Sequence, residues 1–347
     1  MDLKQFGGRI TPVLLQQYQL SANWHDGKFV NLEETKMNIR LRNVPGLIYR
    51  QLAGRKMRSP GIPLKVLPFE RAEFLSQSAG ARYVWYGHSA IMLRLNGQTI
   101  LIDPMMGPNA SPPAPFKTKR FSDHTLDFIN DFPEIDIVLI SHDHYDHLDK
   151  TSILKLKSKA KRYLVALGVK RHLTAWGISP ELITEVDWWD RISISGIDVT
   201  FTPSRHFSGR GLQDRNRSLW GGFALRSMNT NIIFSGDGGY GNHYAEIGKR
   251  LGPFDLAFME CGQYNELWRQ IHLMPEESVQ AARELNARKA VPVHWAGFSL
   301  ALHNWQEPAE RFFAAAEKLE ITATFPLLGK VYGLQDEQKE KWWRDKA

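Results

Sequence analysis

The chain is 347 residues long, 43% hydrophobic and 23% charged, with a formal net charge of +7. These proportions are ordinary for a soluble globular protein. A single cysteine, Cys261, excludes an intramolecular disulfide, and no apolar run approaches the roughly twenty residues that a membrane-spanning helix needs.

Residues 1–80 carry most of the charge, twelve Lys or Arg against six Asp or Glu. Their start lacks the charged-then-apolar pattern of a secretory signal, so the expected location is cytoplasmic. Between Lys36 and Leu67 there are eight basic residues and no acidic one, interleaved with Met37, Ile39, Leu41, Leu47, Ile48 and Leu52. Such a mixture can seat a protein at the periphery of an anionic membrane. A solvated basic face over ordinary packing is the competing reading. Nucleic acid is disfavoured, because residues 36–67 hold no reading motif and a single tyrosine, Tyr49, for stacking. Turn signals at Gly7-Gly8, Asp26-Gly27, Pro45-Gly46 and Pro60-Gly61 interrupt the segment, with one short helix expected over 46–57. It reads as an extension wrapped on a core that begins near Ala81.

Strands are predicted over 82–86, 90–95 and 99–102, the last two joined by the hairpin turn Asn96-Gly97. His88 and Asp103 each follow one of them. Residues 107–118 form a loop, either a connector or a contact for substrate. Ile137–Ile140 is short, apolar and β-branched enough for a buried strand. Directly after it come His142, Asp143, His144, Asp146 and His147. In an open α/β sheet, ligands collect just past the carboxyl ends of strands. Imidazole nitrogens with a carboxylate oxygen form a donor set for divalent metals, zinc above all. Packing alone does not readily produce three imidazoles so close together, since each one buried needs its own partner. The donors fall into two pairs, His142 with His144 and Asp146 with His147, which suits two adjacent metals better than one. Asp143 points away from that pairing and reads as a supporting carboxylate.

Further strands are expected over 162–166, 183–186, 191–194, 197–201, 220–225, 231–234 and 256–259. Helices are expected over 150–157, 170–176, 275–286 and 307–318. Pro275-Glu276-Glu277 opens the third of these, with proline in the first turn and acids facing the positive end of the dipole. His206, Asp237 and His294 each lie where a strand runs out. His25, His124, His172, His243 and His303 have no convergent context and read as surface or packing residues. Cys261 reads as a buried structural thiol, and Trp220, Trp268 and Trp295 as core or as the wall of a groove. Residues 336–347 form a charged tail, frayed or a final helical turn. Periodicity alone supports an α/β fold with much mixed sheet.

The pattern His142-x-His144-x-Asp146-His147, followed by His206, Asp237 and His294, resembles the signature of the metallo-β-lactamase superfamily. The flanking stretches Trp85-Tyr-Gly-His88-Ser, Leu219-Trp220-Gly-Gly-Phe, Glu260-Cys-Gly-Gln-Tyr, Ile271-His272-Leu-Met-Pro and Val293-His294-Trp-Ala-Gly resemble one branch, the N-acylphosphatidylethanolamine-hydrolysing phospholipase D enzymes and their bacterial relatives. The resemblance spans most of 81–334. It implies a four-layer αββα sandwich, with a hydrolase domain over 81–335.

It also implies that His142, His144 and His206 hold one metal and Asp146, His147 and His294 a second, with Asp237 bridging. The ions would be zinc, with manganese or iron as alternatives. The implied chemistry is hydrolysis of an N-acylated phospholipid by a hydroxide held between the ions, Asp237 and Asp146 being catalytic as well as ligating. His272, outside the ligand set, is then the candidate acid for the leaving oxygen, or else a residue bonded to backbone where a helix begins. His88, Asp103 and Trp220 are candidates to orient ligands or to meet substrate, a local bond being the alternative for the first two and core packing for Trp220. Hydrolysis of a soluble substrate (a sugar-phosphate lactone or a small phosphodiester), a metal-dependent nuclease, and a metal-loaded binding protein without turnover are the other readings.

Overall fold

The computed structural model describes residues 3–37, 45–46, 49, 57–76, 80–111, 117–211, 213–338 and 340–344. Most of the expected helix over 46–57 and most of the basic stretch after Met37 lie outside them, as does the middle of the loop 107–118. After a short 3-10 helix (Leu3–Phe6) the chain forms the helix α1 (Pro12–Tyr18) and a two-residue ribbon, β1 (Trp24–His25) with β2 (Lys28–Phe29). Thr11 caps α1 and Pro12 starts it, a local signal that sequence reading passed over. A short helix α2 (Arg71–Leu75) precedes the core.

The first sheet then forms from β3 (Arg82–Trp85), β4 (Ile91–Leu95), β5 (Gln98–Ile102), β6 (Ile137–Ile140), β7 (Tyr163–Ala166) and β8 (Ile183–Val186). The second holds β9 (Arg191–Ile194), β10 (Ile197–Pro203), β11 (Gly221–Arg226), β12 (Asn231–Phe234), β13 (Leu256–Glu260), β14 (Lys289–Val293) and β15 (Thr322–Ala323). The chain finally returns to the first sheet, where β16 (Val331–Gly333) pairs with β3. Among the described residues each sheet has seven strands, in the orders β16-β3-β4-β5-β6-β7-β8 and β15-β14-β13-β12-β11-β10-β9.

Both sheets are mixed. The hairpin side is antiparallel, whereas β5 to β8 and β12 to β15 run parallel. Strands β6, β7, β12, β13 and β14 are buried along their whole length, as parallel strands covered on both faces must be. Tyr83 of β3 meets Phe258 of β13 edge-on at 5.2 Å, joining the inner faces of the two sheets. Such a pair contributes about 1 kcal/mol beyond the area it buries.

Helices α3 (Lys150–Leu156) and α4 (Lys170–Ala175) follow strands of the first sheet, and α5 (His243–Leu251), α6 (Pro275–Glu284) and α7 (Glu307–Leu319) those of the second. In the outer layer of the second sheet, α6 packs on β13 and β14 and against α5 and α7. The fold is an αββα sandwich, as expected. The charged tail is not frayed at Trp343, which is fully buried against Trp295, Phe325 and Trp342.

Strand register positions the site. Pairing of Ile102 with Leu139 brings Asp103 beside Ser141, and pairing of Glu260 with Val293 brings Glu260 beside His294. All of these residues lie at carboxyl ends of parallel strands, along one edge of the sandwich.

Candidate metal centre

The loop after β6 is held at both ends. Its start continues a buried strand, and Asp149 at its end caps α3, accepting from Thr151 N at 3.3 Å and Ser152 N at 2.8 Å. Between them the imidazoles turn inward. His142 Nε2 lies 2.9 Å from His144 Nδ1, which lies 3.2 Å from His206 Nε2. His147 Nε2 lies 3.1 Å from His294 Nε2, and His294 Nε2 lies 3.2 Å from Asp146 Oδ2. Asp237 Oδ2 stands between the two groups, 3.0 Å from His147 Nε2, 3.1 Å from His294 Nε2, 3.8 Å from His206 Nε2 and 4.0 Å from His142 Nε2.

Ring nitrogens converging in this way do not satisfy one another. A neutral imidazole has one donor nitrogen and one acceptor, so three rings meeting at 2.9–3.2 Å leave lone pairs facing a common point. A divalent cation resolves that conflict, and the donor set of five imidazoles and two carboxylates fits one.

A supporting layer orients these rings. Asp103 Oδ2 lies 2.7 Å from His147 Nδ1 and accepts from Ser141 Oγ, while its Oδ1 accepts from Ser141 N at 2.8 Å. His206 Nδ1 lies 2.8 Å from the Ile271 carbonyl. Asn31 clasps the His206 backbone from outside, donating to its carbonyl at 2.8 Å and accepting from its N–H at 3.0 Å. Asp143, expected to be a supporting carboxylate, accepts from Gly209 N and Ser218 Oγ and lies 3.3 Å from His172 Nε2. His88, Asp103, His294 and Ala296 have positive φ, a conformation that side chains seldom adopt and that concentrates at functional sites. Gly262 lies so close under His294 that a Cβ there would run into the His294 carbonyl oxygen.

The electrostatics are polarised across the cluster. Burial holds His142, His144 and His206 below the usual imidazole range, reinforced foremost by His147 at His142 and by His144 at His206, whereas at His144 the Asp146, Asp143 and Asp237 carboxylates offset burial only in part. At the other end burial also opposes charge on His147 and His294. There the Asp237 and Asp146 carboxylates prevail, holding His147 well above its ordinary value and raising His294 to about 9. In return, despite burial, the imidazoles led by His147 keep the Asp146 and Asp237 carboxyls well below the carboxylate range.

The cluster opens into a cleft of about 210 Å³, lined by His144, Asp146, Asp237, His272 and His294 beside an apolar wall of Met37, Phe207, Trp268, Ile271 and Leu300. His272 lies closer to the donors than expected. One of its ring nitrogens falls within 4.8 Å of ligand atoms of both His206 and Asp237. His88 does not reach the cleft: it is fully buried behind the cluster, and its Nε2–H donates to Asp146 Oδ2 at 2.9 Å.

Trp220 does not line the cleft either. It is fully buried directly before β11, and its Nε1–H donates to Asn31 and to the Ser204 carbonyl. Trp295 is likewise core, whereas Trp268 does line the cleft. His172 is a buried partner of Asp143 and not a surface residue. Glu260 escaped sequence reasoning. Fully buried at the end of β13, it touches both His272 and His294, and a lone acid closing an apolar strand was the available signal.

The profile of the β-lactamase superfamily domain matches residues 98–295. An uncharacterised protein of Mycobacterium tuberculosis is 37% identical over 330 residues, covering 93% of this chain and 88% of its own. A Caenorhabditis elegans N-acyl-phosphatidylethanolamine-hydrolyzing phospholipase D is 28% identical over 316 residues, 85% of this chain and 88% of that one. Among solved structures, Igni18, a metallo hydrolase of Ignicoccus hospitalis, superposes with a TM-score of 0.57 over 73% of this chain and 98% of its own, at 19% identity. At that identity the superposition speaks for the fold alone. With the buried His/Asp cluster at one edge of the sandwich, these matches establish that the chain belongs to the metallo-β-lactamase superfamily of metal-dependent hydrolases.

Proposed function

We propose that the protein is a phosphodiesterase of the N-acylphosphatidylethanolamine phospholipase D type, working with two divalent ions, zinc in the first instance. The observation that carries this reading is the cleft, in which an apolar wall rises directly beside the donor cluster. A phosphodiester flanked by acyl chains matches that arrangement, its polar centre at the donors and its chains along Met37, Phe207, Trp268, Ile271 and Leu300. The nematode relative supports the same substrate class.

In this reading His142, His144 and His206 would hold one ion and Asp146, His147 and His294 the other, with Asp237 a candidate ligand to both. Bound metals supply Lewis acidity toward a phosphoryl oxygen and a nucleophile at neutral pH. The chain's own residues do the rest. Asp103 fixes the His147 ring, and the apolar wall keeps bulk water from the reacting centre. His272 Nδ1 is committed to Glu260 at 3.0 Å, so Nε2 is the nitrogen that faces the leaving oxygen; it passes a proton there from the doubly protonated ring, which returns to the neutral Nδ1–H form with Nδ1 still on Glu260.

The test is incubation of metal-loaded protein with vesicles containing an N-acylated phosphatidylethanolamine, with products read by mass spectrometry. Phosphatidic acid and N-acylethanolamine are expected in equal amounts, and both should vanish in Asp237→Asn. Turnover of bis-p-nitrophenyl phosphate without either lipid product would move the assignment to a soluble diester. Inertness toward every diester, with metal bound, would defeat it.

A further inference from the structure

The Glu260 carboxylate has no route to solvent and sits between two imidazoles. Its Oε1 lies 3.0 Å from His272 Nδ1 and 3.3 Å from His294 Nδ1, and its Oε2 accepts from Leu273 N at 2.8 Å. The two rings stand almost parallel, 14° apart with centroids at 5.5 Å, one on each side of the same oxygen. The backbone N–H of Glu260 donates to Ser235 Oγ at 3.0 Å, so the carboxylate is fixed at its base as well. An ionised carboxylate only accepts hydrogen bonds. Both imidazoles must therefore carry their proton on Nδ1 to meet it, and both are left with Nε2 toward the cleft.

We infer that Glu260 is a positioning residue that sets His272 and His294 together, through one oxygen, in the tautomer that presents Nε2 to the reacting centre. His294 Nε2 thereby faces Asp146 and Asp237 at 3.2 and 3.1 Å, as a metal donor must. His272 Nε2 is presented to substrate from the same rigid support. The bond to Leu273 N also holds the loop that carries His272, so ring orientation and loop position depend on one side chain. A carboxylate behind a metal-bound imidazole typically accounts for about 10–100-fold in metal affinity or activity. Here one carboxylate serves a ligand and a proton donor at once, so its loss affects two separable quantities. The inference rests on the metal-centre part of the function proposed above and is independent of which diester is cleaved.

The experiment uses Glu260→Gln and Glu260→Ala in the full chain, with His206 as an internal control, because His206 Nδ1 is held by the Ile271 carbonyl and not by Glu260. Long-range nitrogen–proton NMR on histidine-labelled, zinc-loaded protein reads the tautomers directly. The wild type should show Nδ1–H for His272, His294 and His206. In the variants the His272 and His294 signals should lose that pattern while His206 keeps it. Zinc affinity, measured by competition with a chromophoric chelator, should fall about 10–100-fold. In a His272→Ala background Glu260→Gln should still weaken zinc binding and no longer lower kcat on bis-p-nitrophenyl phosphate. If Glu260→Ala does not fold, Glu260→Gln, which preserves shape, carries the measurement. Unchanged tautomers with zinc affinity within twofold of wild type would overturn the inference. So would loss of the His206 pattern as well, which would make Glu260 a general prop. Neither the tautomer nor the affinity readout needs turnover, so a failure of the lipid assignment leaves this test standing.

Discussion

Asp103 concentrates several demands in one side chain. It follows β5 in the left-handed region with φ 39°, and it receives three hydrogen bonds, two from Ser141 and one from His147. Burial pushes its carboxyl up, and the bonds from His147 and Ser141 only partly offset that. Those three bonds give the buried carboxyl the partners it would otherwise have in water. Asp103→Asn keeps the shape and replaces one acceptor by an NH2, so a donor must face either the Ser141 N–H or the His147 Nδ1–H. The expected result is a native near-UV circular dichroism spectrum with zinc affinity lowered by about 10–100-fold. A chelator competition that gives wild-type affinity would show that His147 is oriented without this bond.

Two separate stretches of the N-terminal segment brace the elements that carry the donors. Arg210, fully buried, donates through Nη1 to the Asp143 and Leu148 carbonyls of the loop after β6 and through Nε to the Gln5 carbonyl. Asn31 joins the same segment to the loop after β10, since its bonds to His206 leave neither backbone group of that residue unpaired. Asn31→Ala would strand both groups. Each buried polar group left without a partner costs about 1–3 kcal/mol. Urea unfolding should therefore show a loss of that order, accompanied by faster release of zinc to a chelator. Asn31→Asp, which retains the acceptor for the His206 N–H, should fall between Asn31→Ala and wild type.

Such braces explain what could be read in advance and what could not. The loop after β6 was legible because three imidazoles and a carboxylate fall within six positions behind an apolar run, so chemistry and strand end are written in adjacent residues. The strands β6, β8, β9 and β12 were legible for the same local reason. Glu260, Asn31 and Arg210 were not, because each acts on partners between 12 and 205 residues away that only the fold brings near. The helix α5 went unread because its buried face is thin, made of His243, Tyr244, Ile247 and Gly248. Strand β16 is three residues long, too short for alternation to show, and it pairs with a strand almost 250 residues earlier.

At the scale of the whole molecule, the buried histidines outside the donor set tie stability to pH. Burial, reinforced by Arg171 at His172 and by Arg205 at His243, holds each of these imidazoles down to about 3. An unfolded histidine titrates near 6.5, so below that pH the unfolded chain binds protons that the folded one refuses, and stability falls as pH drops toward about 3. His147 and His294 have the opposite sign. Their raised values add stability to metal-free protein that is fully present below about 6.5 and is lost as pH rises toward about 9, so they add no slope on the acid side.

Between about pH 6.5 and 5, above the range where unfolded carboxylates protonate, buried neutral imidazoles therefore dominate the slope. Each contributes up to roughly 1.4 kcal/mol per pH unit. His243 isolates one of them, because its Nε2 has no hydrogen-bond partner and its ring packs on Tyr244 with centroids 4.1 Å apart, away from the donors. His243→Gln removes the titration and keeps a polar side chain of similar reach. Urea unfolding at half-unit steps from pH 6.5 to 4, with metal removed beforehand by chelator, should show the variant losing stability more slowly than wild type by about one proton. Parallel curves for the two proteins would mean that His243 already takes up its proton in the folded state, through an opening of α5 that lets water reach the ring.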